Sequence, residues 1–163
     1  MRWIRGSAIF VAGIVAGMFL MQPSASPQKK VTGLRLNHVG LYVKDLDEST
    51  KFYTTTMGFR EAFRFKDAAG KPIVYLQMSK DTFFELTPAD AGHEPGVSHV
   101  GITADDLEST VASLQQSGVK IENIHSGSTK APLANMYDPN NVRLELLTYP
   151  PESLQRKAIE AWK

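Results

Sequence analysis

The sequence predicts an α+β domain made of two βαβββ modules packed about a pseudo-twofold axis. Three observations carry this. His38-Val39-Gly40-Leu41 is answered 61 residues later by His99-Val100-Gly101-Ile102. The same offset takes Asp45-Leu46-Asp47 to Asp106-Leu107-Glu108. An offset of 60 takes Met57-Gly58-Phe59 to Ser117-Gly118-Val119, and Phe84-Glu85-Leu86 to Leu144-Glu145-Leu146. Two copies indicate a duplicated unit, whereas a solenoid needs three or more.

The elements follow in chain order. Residues 1–30 read as a signal peptide or N-terminal anchor plus linker. Arg2 and Arg5 precede an apolar run from Ala8 to Met21, and a Pro/Ser/Ala break spans Pro23 to Pro27. That run suits a secretory h-region and is short for a spanning helix. The expected location is therefore exported, periplasmic, with membrane contact only through this segment if it is left uncleaved. The folded domain is expected over 34–149, with modules at about 36–87 and 97–148.

In the first module, Asn37 to Val43 is short, apolar and β-branched, as a strand should be. Asp45 to Ser49 places capping and acidic residues at a helix start, and Gly58 ends that helix at C′. Phe59–Phe65, Ile73–Met78 and Thr82–Thr87 read as strands, with Gly70-Lys71-Pro72 and Ser79-Lys80-Asp81 as turns. The second module repeats the plan. It has a strand at His99–Thr103, a helix at Leu107–Gln116, and strands near Lys120–Ile124, Leu133–Tyr137 and Val142–Thr148. Asp138-Pro139-Asn140-Asn141 is its strongest turn. Beyond Pro150-Pro151, residues 151–162 are expected to hold a C-terminal helix.

Composition narrows the chemistry. The chain of 163 residues suffices for one domain with a real core. It has 18 Lys and Arg against 17 Asp and Glu; without the two leader arginines the balance is 16 against 17. That near-neutral surface offers no footprint for nucleic acid. The absence of cysteine excludes disulfides, thiolate metal sites and cysteine nucleophiles.

Each module contributes one histidine, opening its first strand, and one glutamate, in its last strand: His38 and Glu85, His99 and Glu145. Strand alternation aims Glu85 to the same face as Phe83, and Phe84 and Leu86 to the other, so both faces are partly apolar. A carboxylate there is costly unless paired or bound to metal. A single histidine or glutamate would mean little. The shared repeat brings two imidazoles and two carboxylates to one axis, a set suited to Zn, Ni, Co, Fe or Mn. Without the ion the carboxylates should repel, their protonation should rise, and the metal-free protein should gain stability on mild acidification. His93, in the Pro/Gly linker, is expected in solvent; His125 is a lesser candidate for a pocket wall. Phe63, Phe65, Tyr75, Met78, Met136 and Tyr137 could line a pocket, though core packing is their default role.

These residues resemble the vicinal oxygen chelate superfamily, the glyoxalase/bleomycin-resistance/extradiol-dioxygenase fold. The resemblance runs from Leu36 to about Tyr149. It rests on Asn37-His38-Val39-Gly40-Leu41, on Phe52-Tyr53 before Met57-Gly58-Phe59, on Ser98 to Ile102, and on Asp138 to Leu146. It implies a cupped, barrel-like mixed sheet with helices outside, around one divalent metal that a small substrate chelates through adjacent oxygens. The ligand order His, Glu, His, Glu is most like glyoxalase I and implies a metal-dependent isomerase or lyase, with Ni, Zn or Co favoured over Fe or Mn. Glu145, or Glu85 in the symmetric role, would then be the catalytic proton carrier. Two other readings stand beside it. A ring-cleaving extradiol-type dioxygenase would use His38, His99 and Glu145 alone. A non-catalytic binding or resistance protein would use the cup as a pocket. Glutathione contacts are not matched: Tyr42 and Ala89 stand where short bacterial glyoxalase I has Arg and Asn. Family members build the cup within one chain or across a homodimer.

Overall fold

A computed structural model describes residues 31–163, and the leader expected over 1–30 lies outside the described residues. The first module contains β1 (Arg35–Val43), α1 (Leu46–Lys51) running into a π-helical turn (Phe52–Thr56), β2 (Arg60–Lys66), β3 (Pro72–Ser79) and β4 (Thr82–Pro88). The second contains β5 (Gly96–Thr103), α2 (Leu107–Gln116), β6 (His125–Ser126), β7 (Pro132–Tyr137) and β8 (Arg143–Leu147); α3 (Leu154–Glu160) follows. All eight strands form one mixed sheet in the order β2-β3-β4-β1-β5-β8-β7-β6. Each half of that order mirrors the other. Within each module the first and last strands run parallel, and β1 and β5 join the modules antiparallel. The pseudo-twofold axis therefore passes between β1 and β5, inside one chain.

Local chemistry explains the repeated helices. Asp45 accepts from the Glu48 backbone N–H at 2.8 Å, and Asp106 from that of Ser109 at 2.9 Å, so equivalent N-caps open both. Gly58 and Gly118 sit at φ +75 and +82 just past the helix ends, where a Cβ would be strained. The first helix loosens into its π turn along a run of threonines. Thr50 and Thr54 hydroxyls bond back to the Leu46 and Thr50 carbonyls, a competition that disturbs helical geometry.

The two module helices lie on the outer face. Leu46 and Tyr53 pack with Val43, Val74, Leu76 and Leu86, and Leu107, Val111 and Leu114 pack with Ala134 and Leu146. The inner face holds Ile73, Tyr75 and Phe83. The alternation read from Phe83 to Leu86 thus holds. The C-terminal helix, which belongs to neither module, packs on this inner face: Ala158 joins the cluster of Ile73, Tyr75 and Phe83, and Ile159 packs against that of Ala131, Leu147 and Tyr149.

One strand differs from expectation. Residues 120–124 make only a bridge from Ile121 to Met136 and a hydrogen bond from the Glu122 N–H to the Asn135 carbonyl. The short β6 at His125–Ser126 pairs with β7 instead. Lys120, Glu122 and Asn123 give this edge segment little to bury, so the ladder closes only where β7 folds back through the turn at Gly127 to Ala131.

Candidate metal centre

His38 and His99 lie on the central strand pair, and the register of that pair explains why their rings meet. His38 pairs with Gly101, and His99 with Gly40. Each ring lies across the other strand at its glycine. A Cβ on Gly101 would sit 2.0 Å from His38 Cε1, and one on Gly40 would sit 2.1 Å from His99 Cε1. Only glycine admits this approach. The register slips on either side, leaving Asn37 and Ser98 unpaired as β-bulge residues. These two are also 61 positions apart. Each bulge turns a polar side chain onto the next histidine: Asn37 Oδ1 lies 3.1 Å from His38 Nδ1, and Ser98 Oγ lies 2.9 Å from His99 Nδ1.

The hydrogen bonds assign the His38 ring. Asn37 donates its amide to the Asp81 carbonyl at 2.7 Å, so its oxygen faces His38, and that oxygen also accepts from the Tyr149 hydroxyl. His38 therefore donates from Nδ1 and leaves Nε2 with a free lone pair. On His99 the Nδ1 faces Arg143 Nη2 at 2.7 Å as well as Ser98. A guanidinium only donates, so this Nδ1 accepts, and the proton sits on Nε2, which meets His38 Nε2 at 3.0 Å.

Both glutamates face the two Nε2 atoms. Glu85 Oε2 is 3.7 Å from His38 Nε2 and 3.5 Å from His99 Nε2; Glu145 Oε2 is 3.6 and 3.7 Å from the same atoms. His38, His99 and Glu145 offer donors all within 4.8 Å of one another. Within that trio the spacings of 3.0–3.7 Å lie near the edge of about 3.4 Å that a tetrahedron with bonds of about 2.1 Å requires, so it fits a divalent ion; Glu85 reaches both histidines but stands outside the set whose donors all lie within 4.8 Å. The histidine side chains are 1 % and 3 % exposed, but Glu85 and Glu145 keep 14 % and 12 %, which leaves the carboxylate side approachable. All four residues singled out in the sequence are thus brought together, and both modules contribute within one chain.

The repulsion between the carboxylates does not decide their protonation. Burial pushes Glu85 up, but hydrogen bonding from His99, the charges His99 and His38 carry when protonated, and the Tyr75 hydroxyl together hold it down at about 2. Burial likewise raises Glu145, and Glu85 adds to this, yet bonding from His38 and the charges of both histidines, when those rings are protonated, leave it lowered. The expectation of raised protonation fails because the imidazoles stand between the two acids.

Sequence reasoning missed the supporting residues. The Tyr75 hydroxyl donates to Glu85 Oε2 at 2.5 Å. Burial first, then the Glu85 charge, drives the phenol well above its usual range, so it stays a donor. Arg143 Nη1 lies 3.4 Å from Glu145 Oε1. Asn37 and Ser98 left a signal, a polar residue before each repeated histidine. Gly40 and Gly101 left another. Tyr75 left only the signal of a pocket-wall aromatic and Arg143 left none, because their roles at the glutamates depend on cross-strand register. Among the proposed wall residues, Phe65 and Tyr75 line a cavity of about 210 Å³ beside the glutamates, and His125 lines it too. Phe63 stacks on Tyr75 at 4.6 Å, Met136 packs beneath α2, and Met78 is exposed. His93 is exposed, bonded to Asp90 and set at a tilt against the Tyr42 ring, 4.6 Å between centroids.

Comparison with known proteins agrees with this architecture. Residues 35–146 match the Glyoxalase/Bleomycin resistance protein/Dioxygenase superfamily, and the chain belongs to that family. Lactoylglutathione lyase of Schizosaccharomyces pombe is 30% identical in an alignment of 142 residues that covers 70% of this chain and 47% of that protein; this chain spans about half of its relative's length. Methylmalonyl-CoA epimerase from Mycobacterium tuberculosis superposes with a TM-score of 0.64 at 23% identity, covering 75% of this chain and 91% of the other. The hypothetical protein BH1468 from Bacillus halodurans C-125 gives 0.62 at 18%, covering 73% and 96%. These structural likenesses speak for the fold.

Proposed function

We propose that this protein is a metal-dependent isomerase or lyase of the glyoxalase type, acting on a small substrate that presents adjacent oxygens. His38, Glu85, His99 and Glu145 would hold one divalent ion, with nickel, zinc or cobalt favoured. The observation that carries the reading is the convergence of two Nε2 atoms and two carboxylates from both modules at 3.0–3.7 Å. Such an ion would polarise the substrate oxygens as a Lewis acid.

The chain's own groups divide the remaining work. Glu85 is tethered by Tyr75 and serves as the fixed ligand. Asn135 stands where Tyr75 stands in the first module, and it spends its amide on Glu122 at 2.8 Å, so Glu145 has no such tether. Glu145 is therefore the carboxylate free to take a proton from a carbon beside a carbonyl and return it. While the imidazoles hold it down it is a weak base, and it gains strength as those contacts loosen.

Metal analysis of natively purified protein tests the site. His38→Ala and His99→Ala should each lose most bound metal, and variants that bind it as tightly as wild type would end the reading. Incubating 2-hydroxy and 2-oxo carbonyl compounds in D₂O and following deuterium uptake by NMR tests the base. Glu145→Gln should keep its metal and lose exchange. Glutathione conjugates are not proposed: Tyr42 lies under the Lys71 ammonium at 5.6 Å and beside His93, and Ala89 offers no side-chain donor. The leader supports an exported, periplasmic setting, to be checked by cell fractionation; among the described residues no helix is long and apolar enough to cross a membrane.

One observation favours a second reading. Because Tyr75 already occupies Glu85, the trio His38, His99 and Glu145 could act alone as the facial triad of a ring-cleaving dioxygenase. Iron in the native protein, with oxygen uptake on catechols, would select it.

A further inference from the structure

The duplication gives the cup two equivalent ends, and they are finished differently. At one end a hollow of about 270 Å³ is lined by Leu36, Asn37, Asp81 and Thr103, and at the other a hollow of about 440 Å³ by Val97, Ser98, Asn141 and Tyr42, the same repeat positions. The C-terminal segment narrows the first: Tyr149, Arg156 and Ile159 join its wall, and Ala158 clusters with Phe83 on the cup side, while Leu36 stays 58% exposed. Among the described lining residues of the second none comes from a helix; His93 packs against Tyr42 in its wall, and Val97 is 66% and Tyr137 53% exposed. The repeat partner of buried Phe83 is Arg143, 60 residues on. Its side chain is 31% exposed, and it lines both this open hollow and the inner cavity beside Glu145. The first hollow has Asp81 and Asp105 in its wall; the second has no carboxylate among its described lining residues.

From this asymmetry we infer that Arg143 is the substrate-selecting residue of the cup, and that it takes the carboxylate of an anionic small molecule entering by the open end. The inference rests on the metal-dependent reading above. Arg143 now spends one arm on His99 Nδ1 at 2.7 Å. A neutral imidazole that gives Nε2 to a cation carries its proton on Nδ1, which then suits Ser98 Oγ and repels a guanidinium. Loading the site would thus remove one acceptor from Arg143, leaving Nη1 3.4 Å from Glu145 Oε1 and Nη2 free to donate to a carboxylate in the hollow that the guanidinium already lines. Asn135 adds a second cue: its Oδ1 is buried without a partner on the same inner face, placed to accept from a substrate hydroxyl.

The test uses two probes that chelate identically and differ only in their tails: butyrohydroxamate, which ends in a methyl, and succinic monohydroxamate, which ends in a carboxylate. Each is titrated into the cobalt-loaded full chain and followed by visible absorption, with cobalt content measured on every sample. The readout is the ratio of the two affinities, which a general weakening of metal binding leaves unaltered. Wild type should prefer the carboxylate probe by about tenfold or more. Arg143→Gln should bring the ratio near one, Arg143→Lys should keep part of it, and Arg143→Glu should invert it. A ratio near one in wild type, or a preference that survives Arg143→Gln, overturns the assignment while leaving the metal site standing. Failure of both probes to bind cobalt-loaded protein overturns it as well. A chain that takes up no cobalt sinks the metal-dependent reading first, and this inference with it.

Discussion

Under the proposed metal-dependent function, replacing Gly101 with alanine should weaken metal binding before it costs the fold. The new Cβ would lie 2.0 Å from His38 Cε1 and 2.1 Å from Nδ1, whereas ordinary contact begins at 3.4 Å. Relieving the clash moves the ring by about 1.4 Å, the difference of those contact distances, while a ligand position tolerates only about 0.2 Å. The movement cannot be shared with the backbone, because Gly101 and His38 are register partners in the central ladder. Overpacking of this kind costs about 1–3 kcal/mol of stability. Loss of a ligand's orientation costs at least about 10–100-fold in metal affinity. Gly40→Ala should match it, since its Cβ meets His99 at 2.1 and 2.2 Å. Gly92→Ala is the control: its Cβ meets only Asp90 Oδ1, at an ordinary 3.6 Å. Competition against a chromophoric chelator gives the affinities, and melting with and without metal gives the stabilities. A Gly101→Ala protein that binds zinc or nickel like wild type would show that the ring-over-glycine contact does not set the donor geometry.

Three further outcomes follow from the same contacts. Tyr75→Phe keeps the ring stacked on Phe63 and removes the bond to Glu85, so metal affinity should fall about tenfold with little change in melting temperature; unchanged affinity would mean that the tether is idle. Asp106→Ala should cost about 1 kcal/mol in urea denaturation without altering metal affinity, as should Asp45→Ala, because both carboxylates cap helices on the outer face. The pH dependence of the metal-free protein has a definite sign: Glu85 titrates at about 2 when folded against an ordinary 4.5, so the unfolded chain takes up the proton first. The stability Glu85 contributes is present above about 4.5 and is lost as pH falls toward 2, so the melting temperature should drop on acidification, and Glu85→Gln should flatten the drop. A rise on acidification would restore the repelling-carboxylate picture.

Most of this architecture could be read in advance because the duplication wrote it twice. The caps at Asp45 and Asp106, the C′ glycines 58 and 118, and the His and Glu pairs all stand at offsets of 60 or 61, and each half corroborates the other. The glycines following the histidines were equally repeated, but a strand glycine is silent until the facing strand is known; only the pairing of His38 with Gly101 shows what it makes room for. The bulges at Asn37 and Ser98 belong to the pairing too, not to either strand alone. The segment 120–124 read as a strand because Ile121 and Ile124 are β-branched, yet an edge segment with Lys120, Glu122 and Asn123 around them has little apolar area to hold a ladder. The inward packing of α3 had no repeat to announce it.

Where the two halves agree, they build the donor set; where they differ, they assign it work. A perfectly symmetric site would make Glu85 and Glu145 interchangeable and leave both ends of the cup alike. Three substitutions between the copies break that equivalence. Tyr75 against Asn135 gives one glutamate a hydroxyl tether and denies it to the other. Asn37 against Ser98 gives His38 an amide oxygen that is itself fixed from both sides, while His99 has a rotatable hydroxyl and shares its Nδ1 with a guanidinium. Phe83 against Arg143 puts an aromatic ring beneath the C-terminal helix at one end and a cation in a hollow at the other. In each pair the first module supplies the rigid member and the second the adjustable one. The inequality therefore runs in one direction across the axis: under the proposed function, His38 and Glu85 would form the fixed half of the centre, and His99, Glu145 and Arg143 the half able to rearrange when a substrate arrives.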